Sequence, residues 1–157
     1  MQAPIDPTDA RILTLLQENA RITQAEIAKT VGLAPSAVLE RIRKLEARGA
    51  IREYVAAIDP HVANRALLAF VSVRTNEYGP DQPSARALAA IPEVLEVHHV
   101  AGDDCYLLKV RTRDAEHLGQ LLRERIAGTP GVVSTRTTIV LETVKETSRI
   151  PIAREER

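Results

Sequence analysis

The sequence predicts an α+β protein: an N-terminal three-helix helix-turn-helix unit followed by a C-terminal ferredoxin-like βαββαβ sandwich. Three observations carry that prediction. Apolar residues recur at helical spacing through the first 48 residues and at alternating spacing in most segments beyond. Capping residues and breakers stand at the changes of period. The order after residue 65 is strand, helix, strand, strand, helix, strand, a split βαβ arrangement that lays two helices on one face of a sheet.

The elements follow in order. Asp6 is placed to cap a first helix over about residues 7–18, with Pro7 preorganised at its first position and Asp9 acidic in its first turn; Ile12, Leu13, Leu15 and Leu16 form the apolar stripe. Thr23 and Glu26 make a capping box that opens a short helix through Ile27, Ala28 and Val31, stopped at Gly32. Pro35 starts a third helix with Val38, Leu39, Ile42 and Leu45 inward and Gly49 as its stop. Beyond it Ile51, Val55 and Ala57 alternate with Arg52, Tyr54 and Ala56, which predicts a short strand over 51–57 ending at Asp59-Pro60. The remaining elements are a strand at 67–73, a helix opened by Asp81, Pro83 and Ser84 and running to Ile91, and a strand at 94–100. A Gly102-Asp103-Asp104 turn then leads to a strand at 105–110, a helix capped by Asp114 and running to Ile126, and a strand at 132–141.

Composition excludes several functions. The 21 Lys and Arg balance 21 Asp and Glu, so the chain is no polycation and any affinity for nucleic acid is local. Its four aromatics, Tyr54, Phe70, Tyr78 and Tyr106, are too few for a stacking platform on single strands. Cys105 is the single cysteine, which rules out an internal disulfide and a cysteine-pair zinc site, and fits a reducing compartment. The N-terminus lacks a basic and apolar leader, and the longest apolar stretch, 66–73, is too short to span a bilayer, so a cytoplasmic location and no membrane partner are expected. Adjacent strand residues His98 and His99 point to opposite faces and cannot share a metal. With no P-loop, dinucleotide fingerprint or nucleophile elbow, we expect no catalytic residue, no metal and no cofactor, hence no enzyme.

The first third carries the sharper signal. Close packing of the second helix on the third needs a small residue, a glycine and an apolar residue at fixed offsets, and Ala28, Gly32 and Val38 supply them. Residues 35–52 hold five cations against two carboxylates, a local excess of three, on a chain that is neutral overall. Ser36, Ala37, Glu40, Arg41 and Lys44 lie away from the inward stripe and are the candidates for contacts in the major groove. Arg21, Thr23 and Gln24, at the start of the second helix, are candidates for gripping phosphate. Double-stranded DNA is the expected partner.

The segment DARILTLLQENARITQAEIAKTVGLAPSAVLERIRKLEARGAIREYVAAIDP strongly resembles the N-terminal domain of the Lrp/AsnC feast-or-famine transcription regulators. The segments AFVSV, IPEVLEVHHVAGDDCYLLKVRTRD and GTPGVVSTRTTIVLETVK resemble that family's effector-binding and oligomerising domain, so the likeness covers about residues 5–152. It implies a helix-turn-helix domain at 1–50, a strand-containing linker at 51–65, an effector and oligomerisation domain at 66–145 and an extension at 146–157. It also implies a sequence-specific, nucleoid-associated regulator working as dimers assembled into octamers or similar rings and answering to an amino acid or related metabolite. Two positions depart from the family pattern. Ala34 stands where Ser or Thr usually caps the recognition helix, and Gly102-Asp103-Asp104-Cys105-Tyr106 stands where the family commonly reads Gly-Asp-aromatic-Asp-aromatic.

The effector candidates are Gly102, Asp103 and Asp104 in the turn, with Thr135, Thr137 and Thr138 on the last strand as partners for a polar ligand. Alternation puts Thr135 and Thr137 on one face and Thr138 on the other, so the three cannot line one pocket of a single subunit. Ile150 and Ile152 alternate around Pro151, which suits an extended tail or pairing with a neighbouring subunit. The alternative reading is a small-molecule-binding regulatory domain that docks on a metabolic enzyme instead of DNA; salt-sensitive duplex binding discriminates the two.

Overall fold

The computed structural model describes residues 5–77, 81–102 and 105–152. Its chain forms two compact units: one drawn from the chain up to Ala57 and from Lys145 onward, the other spanning Ile58–Val144.

The first unit contains α1 (Pro7–Glu18), α2 (Gln24–Val31) and α3 (Pro35–Ala47). The helices begin where the caps predict. Asp6 accepts the Asp9 amide at 2.9 Å, and Pro7 costs no bond because first-turn amides lack helical partners. The Thr23 hydroxyl accepts the Glu26 amide at 3.2 Å while the Glu26 carboxylate accepts the Thr23 amide at 2.8 Å, closing the capping box. Gly32 turns the corner at φ +71°, a left-handed conformation that costs glycine nothing. Ile12, Leu13, Ile27, Ala28, Val38, Ile42 and Leu45 then bury against one another. Each large member contributes about 1.5–3 kcal/mol by leaving water.

The C-terminal segment belongs to the same unit. Gln17 Nε2 donates to the Ile150 carbonyl at 3.0 Å and Gln17 Oε1 accepts the Ile150 amide at 2.7 Å, so one side-chain amide pairs with the backbone as a strand would. Ile152 packs, partly buried, against the helical cluster. The tail is extended, as anticipated, and its contacts here are with its own chain.

The second unit contains β1 (Leu67–Thr75), α4 (Pro83–Ala89), β2 (Val94–His99), β3 (Tyr106–Thr112), α5 (Ala115–Leu121) and β4 (Val132–Ile139). The sheet order is β2-β3-β1-β4 with every neighbouring pair antiparallel. The expected split βαβ topology is therefore present: β1 and β2 run in the same direction with β3 between them. Ala69, Val71 and Val73 of β1 and Tyr106, Leu108 and Val110 of β3 alternate onto one face and pack with Leu88, Ile91, Leu118, Leu121 and Ile126.

Three expectations are corrected. Residues 51–57 form no strand: a strand needs a partner, no described segment pairs with them, and Tyr54 and Val55 stay exposed. The helix expected to run to Ile126 ends in a single wide π turn over Leu122–Ile126, with the Ala127 amide donating to the Leu122 carbonyl at 2.8 Å. Gly128 permits this closure, since a Cβ there would lie 2.8 Å from the Glu124 carbonyl oxygen. Asp81 does not cap α4 but pairs with Arg86 at 2.7 Å. The cap comes from Glu77, whose carboxylate accepts the Ser84 amide at 3.1 Å and the Ser84 hydroxyl at 2.5 Å.

Candidate functional site

The outer face of α3 follows from its inner one. Val38, Ile42 and Leu45 are buried, and the 3.6-residue period therefore leaves Ser36, Glu40, Arg43 and Lys44 exposed, with Ala37 and Arg41 half-buried on the flank. Ala34 occupies the cap position and makes no side-chain bond to the helix, so the first-turn amides of α3 remain without a side-chain cap.

The cations of this face have different surroundings. The Arg41 guanidinium donates to Asp6 at 2.7 Å and to Asp9 at 2.8 Å, and Arg48 reaches the other oxygen of Asp9 at 3.3 Å. These bonds tie α3 to the start of α1. The Asp9 amide, joined by Arg41, holds the Asp6 carboxyl below its ordinary range, and the two carboxylates push Arg41 further up. Lys44 pairs with Glu40 at 2.7 Å one helical turn away; both side chains are about 70% exposed (72% and 68%), so water screens the pair and Lys44 can exchange it for another anion. Among the described residues Arg43 makes no ion pair or hydrogen bond.

Arg43 and Gln24 border an open hollow of about 300 Å³ whose floor includes Leu16, Ile22 and Leu39. Tyr54 closes one side, donating to Glu46 at 2.9 Å, and desolvation together with that carboxylate pushes its phenol up to about 12. Arg21 and Gln24 are exposed at the mouth of α2, while Thr23 is committed to the capping box, its hydroxyl also donating to Glu26 at 2.7 Å. Among the candidates on α2 and α3, the site thus gathers Gln24, Ser36, Glu40 and Lys44 on exposed helix faces and shows Arg41 and Thr23 engaged in internal bonds. Sequence reasoning counted Arg43 as local charge and left it off the face; its spacing of three from Glu40 and seven from Ser36 was the signal that places it there.

The effector candidates are not gathered within one chain. Gly102 is exposed at φ +131° in the β2–β3 turn, and Asp103 and Asp104 lie outside the described residues. The register aligns Tyr106, Val73 and Thr135 across β3, β1 and β4, so the turn and Thr135 share one end of the sheet with β1 between their strands. Thr135 and Thr137 stand opposite Val73 and Val71 on the helix-covered face, and Thr138 stands opposite Phe70 on the other, as the alternation predicts. His98 Nε2 lies 3.0 Å from the Glu96 carboxylate, whereas the His99 ring lies against that of Tyr106, their centroids 5.3 Å apart. Among the described residues no cluster of three potential metal ligands occurs, and no described helix is long and apolar enough to cross a membrane.

Comparison with known proteins decides the family. An AsnC-type helix-turn-helix domain matches residues 5–46, and an Lrp/AsnC ligand binding domain matches residues 68–150. The chain belongs to the Lrp/AsnC family. The leucine-responsive regulatory proteins of Escherichia coli (strain K12) and Salmonella typhimurium are each 41% identical to it over 150 residues, covering 94% of this chain and 92% of theirs. A Neisseria meningitidis transcriptional regulator solved with L-methionine has a TM-score of 0.86 at 31% identity, covering 94% of this chain and 96% of the other. A Mycobacterium tuberculosis feast or famine regulatory protein, also complexed with L-methionine, has a TM-score of 0.86 at 36% identity, covering 94% and 99%. As a member of the Lrp/AsnC family the chain is a DNA-binding transcription regulator with an amino-acid-responsive effector domain. The second unit is that domain, with Ala34 and the Gly102–Tyr106 loop as this member's own departures.

Proposed function

We propose that the chain regulates transcription from the cytoplasm and nucleoid as a homodimer built up into an octamer or similar ring, each dimer presenting two α3 helices to successive major grooves on one side of the duplex. The observation that carries the DNA face is the geometry of α3: a buried Val38/Ile42/Leu45 stripe fixed by the Gly32 corner, with a polar and basic side opposite. Ser36, Ala37, Glu40, Arg41 and Lys44 form that face, and Arg21, Thr23 and Gln24 approach the phosphates beside it. Arg41 belongs to it by position, already braced by two carboxylates.

Assembly is supported by the second unit. The edge strand β4 leaves Val133 and Ile139 half exposed, and Leu141 beyond it is 98% exposed, an apolar margin that a second subunit would cover. A shared pocket between subunits would bring Gly102, Asp103 and Asp104 of one chain toward Thr135, Thr137 or Thr138 of another, which a single chain does not do. The two similar regulators solved with L-methionine make a free amino acid the class of effector to test here. Such an effector acts only by binding one assembly state more tightly than another.

The test of the DNA face is the double substitution Arg41→Ala with Lys44→Ala. It should weaken binding to the chain's own upstream duplex and flatten the dependence of affinity on salt, because each lost phosphate contact lowers the slope by about 0.9. Unchanged affinity and slope would remove these residues from the face.

A further inference from the structure

The cations of α3 do not have equal freedom to meet a duplex, and the geometry points to Arg43 as the arginine of this helix that contacts the DNA backbone. This rests on the DNA-binding reading and sharpens it. Arg41 donates to two carboxylates of α1, Asp6 at 2.7 Å and Asp9 at 2.8 Å, and is only about one-third exposed (36%). To reach a phosphate it would have to abandon two charge-assisted bonds and leave both carboxylates beside an incoming polyanion. Arg48 shares the same Asp9 at 3.3 Å. Lys44 carries Glu40 with it at 2.7 Å, so that pair brings no net charge to the groove until it opens.

Arg43 is different. It is exposed, it has neither ion pair nor hydrogen bond among the described residues, and helical spacing sets it beside Ser36 and Glu40 on the pole opposite the buried stripe. It also borders the same hollow as Gln24 at the start of α2, so a duplex seated against both helices passes this side chain. An unpaired guanidinium at that place releases a counterion on binding phosphate and gives up no internal contact. Arg41 then acts as a brace that locks α3 onto α1 and holds the angle at which Arg43 is presented.

The experiment uses the full chain and its own upstream duplex, with affinity measured over a series of salt concentrations for wild type, Arg43→Gln, Arg43→Lys and Arg41→Gln, and melting followed for each. Arg43→Gln should bind roughly tenfold more weakly with the salt slope smaller by about 0.9, while melting as wild type does. Arg43→Lys should recover the slope, since a backbone contact needs the charge and not the fork. Arg41→Gln should melt lower and keep the wild-type slope. A wild-type slope in Arg43→Gln, or Arg43→Lys binding no better than Arg43→Gln, overturns the assignment while leaving the DNA-binding reading intact. Failure of the wild-type chain to bind any duplex overturns both.

Discussion

At the residue scale, local chemistry was readable and distant partnership was not. Asp6, Thr23 with Glu26, and Gly32 act within four residues of their own position, so their identity and spacing were enough to place three helix boundaries. Arg41 meets Asp6 and Asp9 across 35 and 32 residues, and nothing in a string of letters separates a tethered arginine from a solvated one two positions along. Ala34 gives the local rule a direct check. Its backbone already has the extended conformation of a cap (φ −71°, ψ 147°), and only the side-chain acceptor is missing. Ala34→Ser should therefore stabilise the helical unit by about 1 kcal/mol and raise its melting temperature by a few degrees. An unchanged melting temperature would mean that the first-turn amides of α3 are already satisfied.

At the element scale, period and punctuation carried the strands and helices of the second unit, because one buried face imposes alternation on β1 and β3. What they missed depends on partners. The 51–57 segment alternates as a strand does yet stays irregular without a neighbouring strand, and the π turn of α5 answers to the closure around Gly128 instead of to any apolar pattern. The cap of α4 is a third case: Glu77 arrives from the end of β1 and packs over Gly131, where β4 begins. Gly131 has φ +89°, and a Cβ there would lie 2.8 Å from the Glu77 carboxylate. Gly131→Ala should lower the stability of the second unit by about 1–3 kcal/mol in chemical denaturation, from backbone strain and displacement of that cap together. A loss below about 0.5 kcal/mol would show that Glu77 yields freely.

At the scale of the whole molecule, the chain leaves the helical unit at Ala57 and returns to it at Lys145, so the DNA-binding unit is made of two segments joined through the effector domain. Two domains were legible because their periods differ; the return of the tail was not, because Gln17 and Ile150 are 133 residues apart. Gln17→Ala removes both bonds to Ile150 and should cost the helical unit about 1 kcal/mol in thermal unfolding; a melting curve identical to wild type would make the tail a passive passenger. The effector site was legible only in outline, since Gly102 and the three threonines sit on separate faces and strands of one chain and gather only if subunits combine. The central claim is that a neutral protein concentrates its positive charge on one helix to read a duplex. The measurement that tests it most directly is equilibrium binding of the purified chain to its own upstream DNA and to a scrambled duplex of equal length over a salt series, with and without free amino acids. The account predicts tight, sequence-preferring binding that falls steeply with salt and shifts when an amino acid is added; equal or absent binding to both duplexes at every salt concentration, whether or not amino acids are added, would contradict it.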